Sequence, residues 1–338
     1  MSRAVNVVMT PVGGICNLKC SYCYLQLKEK FTSGKMNIEI IGKLVEKLNQ
    51  LNKINKVTFT WHGGEPMLFT PKQCELAFRV IEKKSVIDYK HVIQTNGTLI
   101  SEEYIELFKR YKVSVGVSLD GPNFEANSSR FSKEEQFNLV VKNIKKLLLN
   151  KIRTTIFITL TRDNIVYLDD MFLFIRKVHP TSFYLNPVQK DGSDFSAEEW
   201  CKVIEKMNQF SYDSKIPNGL TPYIEEGVKG RIPKHCLLCG VCNQFILVNV
   251  SGEVFATCSY PEPETFLDHL DEPNIKQKIA DYLSKVPSIS KDSIYAKLGE
   301  DRRYVYFQGA GCKQNKCQEN NAVYVDGVVK YIQRMEVK

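Results

Sequence analysis

The sequence predicts an α/β protein: a partial (β/α)6 barrel of parallel strands followed by a cysteine-rich C-terminal module. Two observations carry this expectation. Between Val5 and about Pro187, short β-branched or aromatic runs alternate with longer amphipathic stretches, the pattern of repeated βα units whose functional loops gather at the carboxyl ends of the strands. Beyond Pro187 that rhythm stops and cysteines accumulate.

The strand runs are Val5–Met9, Lys56–Trp61, His91–Thr95, Ser114–Ser118, Thr154–Leu160 and Ser182–Leu185. Apolar residues recur at helical spacing in Ile38–Leu51, Pro71–Lys83, Glu102–Tyr111, Phe137–Leu148 and Ile165–Val178. Asp191-Gly192-Ser193-Asp194 reads as a loop, and Ala197–Phe210 as a helix capped by Ser196 with Glu199 three residues on. Phe245–Val250 and Glu253–Thr257 flank Ser251-Gly252 as a β-hairpin. The expected organisation is a barrel over 1–190, a linker with one helix over 191–235, and the cysteine-rich module over 236–338.

With 43% hydrophobic residues the chain can bury an ordinary core. No apolar run approaches the ~20 residues of a membrane span, and Met1 to Pro11 lack the plan of a secretory signal. Eleven cysteines in metal-like spacings, without an export signal, imply a reduced cytoplasm. The net charge of +8 comes from scattered lysines such as Lys28, Lys30, Lys145, Lys146 and Lys151, which read as a solvated surface. That surface suits an acidic electron donor or an acidic peptide. The lack of interleaved arginines and aromatics argues against nucleic acid.

Cys16, Cys20 and Cys23 form a CxxxCxxC triplet on the loop after the first strand. Three thiolates on one loop hold three corners of an iron–sulfur cube and leave one iron open for chemistry. A structural zinc would normally take four protein ligands. Gly63-Gly64-Glu65-Pro66 follows the second strand, where paired glycines let backbone approach a ligand closely. Gln94-Thr95-Asn96-Gly97-Thr98 ends the third strand and Ser118-Leu119-Asp120-Gly121-Pro122 the fourth, with Arg130 twelve residues after Ser118.

Together these motifs resemble the radical S-adenosylmethionine (SAM) superfamily, over about residues 5–320. The resemblance implies a SAM-binding [4Fe–4S] cluster on Cys16, Cys20 and Cys23, with Tyr22 as the usual aromatic before the third cysteine. It places Gly63, Gly64 and Glu65 by the methionine amino group and Asn96, Ser118 and Asp120 on the ribose. Arg130 falls on the SAM carboxylate, and Leu185 packs on adenine or fills core. A flavodoxin- or ferredoxin-type protein would supply the electron.

The tail cysteines Cys236, Cys242 and Cys258, followed by Cys312 and Cys317, resemble the auxiliary-cluster modules of this superfamily, SPASM and twitch. The implied auxiliary [4Fe–4S] ligands are Cys236, Cys242, Cys258 and one of Cys312 or Cys317. No cysteine lies between Cys258 and Cys312, which argues against a second auxiliary cluster. Cys239 reads as a ligand, a catalytic thiol, or part of a Cys236-Cys239-Cys242 zinc hook. Cys74 and Cys201 sit in helical stretches as buried apolar thiols.

The branch most resembled acts on side chains of peptides or proteins, and includes anaerobic sulfatase-maturing enzymes and maturases of ribosomally made peptides. In the former an aspartate follows the hairpin's last cysteine and takes a proton; here that position is Ser259, with Glu225 and Glu226 as substitutes. The expected activity is therefore a peptide crosslink or an oxidised residue, with epimerisation if Cys239 returns a hydrogen. The alternatives are formylglycine formation, a twitch-type small-molecule dehydrogenase or mutase, and a zinc-binding, nucleic-acid-binding protein. About fifteen residues before Cys16 are too few for an appended leader-binding domain, so the barrel and tail, or a separate partner, would recognise a peptide.

Overall fold

Strand side chains alternate between two faces, and here the two faces meet different surroundings. In this computed structural model the described residues are 3–23, 25, 34–52, 54–188, 195–220, 245–257, 263–284, 327–328, 330–331 and 334. Six parallel strands lie side by side in chain order: β1 (Arg3–Met9), β2 (Ile54–Trp61), β3 (Asp88–Thr95), β4 (Ser114–Ser118), β5 (Thr154–Leu160) and β6 (Ser182–Pro187). Between them run α1 (Ile38–Asn49), α2 (Pro71–Lys84), α3 (Glu102–Arg110), α4 (Glu134–Leu149) and α5 (Leu168–Val178), and α6 (Ala197–Ser214) follows β6. One face of every strand, carrying residues such as Val7, Phe59, Ile93, Val117, Ile158 and Phe183, is buried in the main core.

Local signals start and stop these helices. Asn37 accepts the Glu39 N–H at the head of α1, and Ser101 accepts that of Tyr104 at the head of α3. Ser196 and Glu199 form the expected capping box on α6. α4 begins three residues before the expected Phe137, because Glu134 and Glu135 belong to a favourable acidic first turn that apolar periodicity does not reveal. Cys74 and Cys201 are buried as expected, and burial pushes the Cys74 thiol up to about 12.

The hairpin forms as β7 (Phe245–Val248) and β8 (Glu253–Phe255), and it joins the barrel sheet. β7 pairs in parallel with β1 through Asn6↔Phe245 to Met9↔Val248. Two further elements lack a sequence-based expectation: β9 (Phe266–His269), antiparallel to β8, and α7 (Ile275–Ser284). The described sheet therefore has nine strands in the order β6-β5-β4-β3-β2-β1-β7-β8-β9. Much of the expected linker and module, including 221–244 and 285–326, lies outside the described residues.

His91 on β3 is buried within an aromatic group of Phe59, Trp61, Phe78, Tyr89 and Tyr111, stacked on Phe78 at 4.1 Å. Its Nδ1 accepts the Trp61 indole N–H at 3.3 Å, and burial pushes its pKa down to about 3. A depressed histidine pKa gives stability that is complete above the unfolded value near 6.5 and is lost as pH falls toward 3. His91 should therefore contribute a loss of about 1.4 kcal/mol per pH unit in that window. Urea denaturation of His91→Phe is expected to show a shallower decline in stability from pH 6.5 to 4 than the parent, whatever the substitution costs at pH 7.

Candidate active site

The chain leaves β1 into a loop that carries all three cysteines of the triplet, and backbone contacts with the turn after β2 hold that loop. The Gly64 N–H donates to Gly13 O at 2.8 Å and the Glu65 N–H to Ile15 O at 2.8 Å. This approach requires glycine. A Cβ on Gly64 would lie 2.0 Å from Ile15 O, and one on Gly63, whose φ is +112°, would lie 2.7 Å from Gly13 O.

Glu65 is fully buried, and its carboxylate accepts from the Thr95 hydroxyl (2.7 Å), the Met67 N–H (2.9 Å) and the Asn96 N–H (2.8 Å). Burial still dominates and pushes its pKa up to about 7. Its side chain thus ties the end of β2 to the end of β3. The Gly63 and Gly64 carbonyls accept no hydrogen bond among the described residues, so they are the groups of this motif that can receive an ammonium.

Asn96 supports the cysteine loop from β3. Its amide donates to Asn17 Oδ1 at 2.8 Å, with Cys16 Sγ 3.9 Å away, and its Oδ1 accepts both the Thr98 N–H and hydroxyl. Asn17 in turn donates to the Thr98 hydroxyl at 2.9 Å.

On the other side stand Tyr22, Asp120 and Arg130. Arg130 Nε donates to Asp120 Oδ2 at 2.9 Å, and its Nη2 to Asp120 Oδ1 at 3.1 Å and to the Tyr22 hydroxyl at 2.6 Å. The Tyr22 hydroxyl donates to Asp120 Oδ2, and the Thr159 N–H to Asp120 Oδ1 at 2.9 Å. Burial opposes the guanidinium charge, but neighbouring Asp120 outweighs it and holds Arg130 above its usual range. Burial, then Asp120, raises the Tyr22 phenol.

The three thiols form no disulfide. Burial raises Cys16 above its usual value and takes Cys20 up to about 11, with the neighbouring thiols and carboxylates adding to the effect. A bound cationic centre reverses that logic and deprotonates coordinating thiols. Among the described residues no three His, Cys, Asp or Glu side chains converge on a single metal ion. The chemistry of the loop, three unpaired thiols beside two free carbonyls, fits a multi-iron cluster and an amino-acid cofactor.

Ser118 is half-buried at the end of β4, and its hydroxyl has no partner among the described residues. Leu185, 2% exposed, shares its strand face with Phe183, which packs on Phe172 and Phe210 of the helix layer. Its observed role is core filling. Two residues that the sequence motifs did not single out as sites also line the inner face. Gln94 alternates with the buried Ile93, and His62 with Trp61; that two-residue alternation was the signal available for both. His62 Nδ1 accepts the Gly63 N–H at 2.6 Å, and burial takes its pKa down to about 4, so the neutral ring carries its proton on Nε2. Glu225, Glu226, Cys236, Cys239, Cys242, Cys258, Cys312 and Cys317 lie outside the described residues.

Residues 10–175 match the Radical SAM superfamily, a segment that contains the cysteine loop, Gly63, Gly64, Glu65, Asn96, Asp120 and Arg130, and this segment is a radical SAM domain. Members of this superfamily use SAM with a [4Fe–4S] cluster. Among curated relatives, a serine-type anaerobic sulfatase-maturating enzyme of Bacteroides thetaiotaomicron is 25% identical over 80% of this chain and 73% of its own length. The antilisterial bacteriocin subtilosin biosynthesis protein AlbA of Bacillus subtilis is 28% identical over 73% of this chain and 53% of its own. The fold is similar to that of a solved structure described as native anSMEcpe with bound AdoMet, with a TM-score of 0.71 at 18% identity, covering 98% of this chain and 100% of that one. No helix among the described residues is long and apolar enough to cross a membrane.

Gly64→Ala is expected to displace the cysteine loop and lower the iron bound per chain after anaerobic reconstitution, with the far-ultraviolet circular dichroism unchanged. Gly42→Ala, whose added Cβ meets the flexible end of Lys84 at 3.3 Å, should bind iron like the parent.

Proposed function

We propose that this enzyme abstracts hydrogen from a side chain of a peptide or protein and leaves that residue oxidised by two electrons. The observation that carries this reading is the extent of the likeness. The sulfatase-maturating relative aligns with 80% of this chain, well past the 10–175 segment, and AlbA with 73%. One is named for maturing sulfatases, which are proteins, and the other for making a bacteriocin, which is a peptide. Free metabolites are the weaker alternative.

SAM and a reduced [4Fe–4S] cluster supply the radical that takes the hydrogen atom. In this reading Cys16, Cys20 and Cys23 hold the cluster, the Gly63 and Gly64 carbonyls receive the methionine ammonium, and Arg130 grips the carboxylate. Cys236, Cys242, Cys258 and one of Cys312 or Cys317 hold an auxiliary cluster that accepts the second electron. A proton acceptor among Glu225 and Glu226, and a thiol at Cys239, complete the set. An acidic flavodoxin- or ferredoxin-type donor supplies the starting electron.

Two outcomes fit, a crosslink and a formylglycine. Ser259 in place of the aspartate favours the crosslink, whereas the alignment with a sulfatase-maturating enzyme favours formylglycine. The reduced holoenzyme with SAM is to be offered a peptide encoded beside its gene and, separately, a sulfatase peptide with serine at the modified position. Loss of two hydrogens from the first without a carbonyl identifies the crosslink; an aldehyde that reacts with hydrazide in the second identifies formylglycine. Turnover of a free sugar or nucleoside with neither peptide changed would overturn the proposal.

Replacing Cys16, Cys20 and Cys23 together with alanine is expected to abolish 5′-deoxyadenosine formation even with dithionite. The triple variant should retain iron and sulfide, lost only when Cys236, Cys242 and Cys258 are also replaced. Full 5′-deoxyadenosine production would refute the first assignment, and an iron-free but folded triple variant the second.

A further inference from the structure

Asp120 was expected on a ribose, yet its carboxylate has no capacity left for one. A carboxylate offers about four lone-pair positions. All four are used: Oδ1 by Arg130 Nη2 and the Thr159 N–H, and Oδ2 by Arg130 Nε and the Tyr22 hydroxyl. Asp120 is 1% exposed, and its backbone is fixed as well, its N–H donating to Asn127 Oδ1 and its carbonyl accepting from Asn164 Nδ2. It serves as a fixed base for Arg130.

Arg130 is thereby committed on one side only. Its Nε and Nη2 are held by Asp120 and Tyr22, while Nη1 has no hydrogen-bond partner among the described residues. The phenol that completes this hold comes from the cysteine loop, between Cys20 and Cys23. The same stretch is docked beside Arg130 by the Ser21 N–H, which donates to Ser129 O at 2.9 Å. The orientation of the guanidinium and the order of the cysteine loop are one arrangement.

We propose that Tyr22 is a positioning residue: its hydroxyl, shared by Asp120 and Arg130, holds the guanidinium so that Nη1 faces the SAM carboxylate, coupling order in the cysteine loop to affinity for SAM. This rests on the radical SAM reading. Coupling of this kind is reciprocal, so SAM also stabilises the loop that carries the cluster.

The test is a double-mutant cycle on the anaerobically reconstituted holoenzyme. SAM is titrated while its dissociation constant and the change in the electron paramagnetic resonance of the reduced cluster are followed. Arg130→Ala should weaken SAM binding by about tenfold or more, the loss of a charge-assisted contact. Tyr22→Phe should weaken it by a smaller factor with iron content unchanged. The double variant should bind no more weakly than Arg130→Ala alone, because Tyr22 acts through Arg130. Unchanged affinity in Tyr22→Phe, or effects that multiply in the double variant, would overturn the proposal. Should Tyr22→Phe lose iron, Arg130→Lys replaces it, since the three N–H donors of an ammonium cannot engage both Asp120 oxygens and Tyr22 and still leave one for the SAM carboxylate; SAM affinity equal to the parent there would overturn it equally. A parent holoenzyme that neither binds nor cleaves SAM would instead defeat the radical SAM reading itself.

Discussion

Everything in the site depends on how closely two backbones approach. The bonds from Gly64 to Gly13 and from Glu65 to Ile15 set the cysteine loop against the turn after β2. They form only because Gly63 and Gly64 carry no Cβ. Three consecutive N–H groups are spent in this way, that of Gly63 on His62 Nδ1 and the other two on the loop. The carbonyls left over are therefore the groups free to meet a cofactor. A motif that reads as ligand-binding does two jobs: it builds the loop and presents acceptors.

A buried carboxylate then reinforces each side of the loop. Glu65 bridges β2 to β3 and accepts from neutral donors that favour its charged form, yet burial outweighs them and raises its proton affinity. Asp120 bridges β4 to β5 and faces a guanidinium, which makes it an ion pair. Removing one partner of a buried pair leaves an uncompensated charge and costs more than the pair contributes. The arrangement thus gives geometric definition more than net stability. That suits a site that must hold three thiols in register.

Much of the barrel was legible in the sequence. β4 and β5 begin and end where their β-branched runs do, because both strands are buried on the helix side and bounded by turns. Legibility failed where long-range partners decide. Nothing local in Phe245–Val248 says that it will pair in parallel with β1, and β9 depends on β8 for its ladder. The site divides in the same way. Gly63 and Gly64 were readable as close-approach residues, whereas the saturation of Asp120 by Tyr22, Arg130 and Thr159 draws on residues up to 98 positions from Asp120 in the chain. Leu185 was readable as core from the two-residue spacing that puts it on one face with Phe183, and core filling was one of the two roles expected of it.

The pairing of β7 with β1 has a consequence for how two cysteine-bearing regions relate. β1 delivers the chain into the loop with Cys16, and the Thr10 N–H just beyond β1 donates to Val248 O at 3.1 Å, at the end of β7. In the sequence Cys242 precedes β7 and Cys258 follows β8. Because β7 and β8 are antiparallel neighbours, with Leu247 opposite Phe255, the chain enters β7 and leaves β8 at the same end. A slip of one residue between β1 and β7 would carry Leu247 away from the inner apolar group it forms with Val8 and Phe255, and Ile246 out of the helix-side core. The register is therefore fixed by burial on both faces. The strand that feeds the triplet and the hairpin that separates the tail cysteines are held to each other as parts of one sheet.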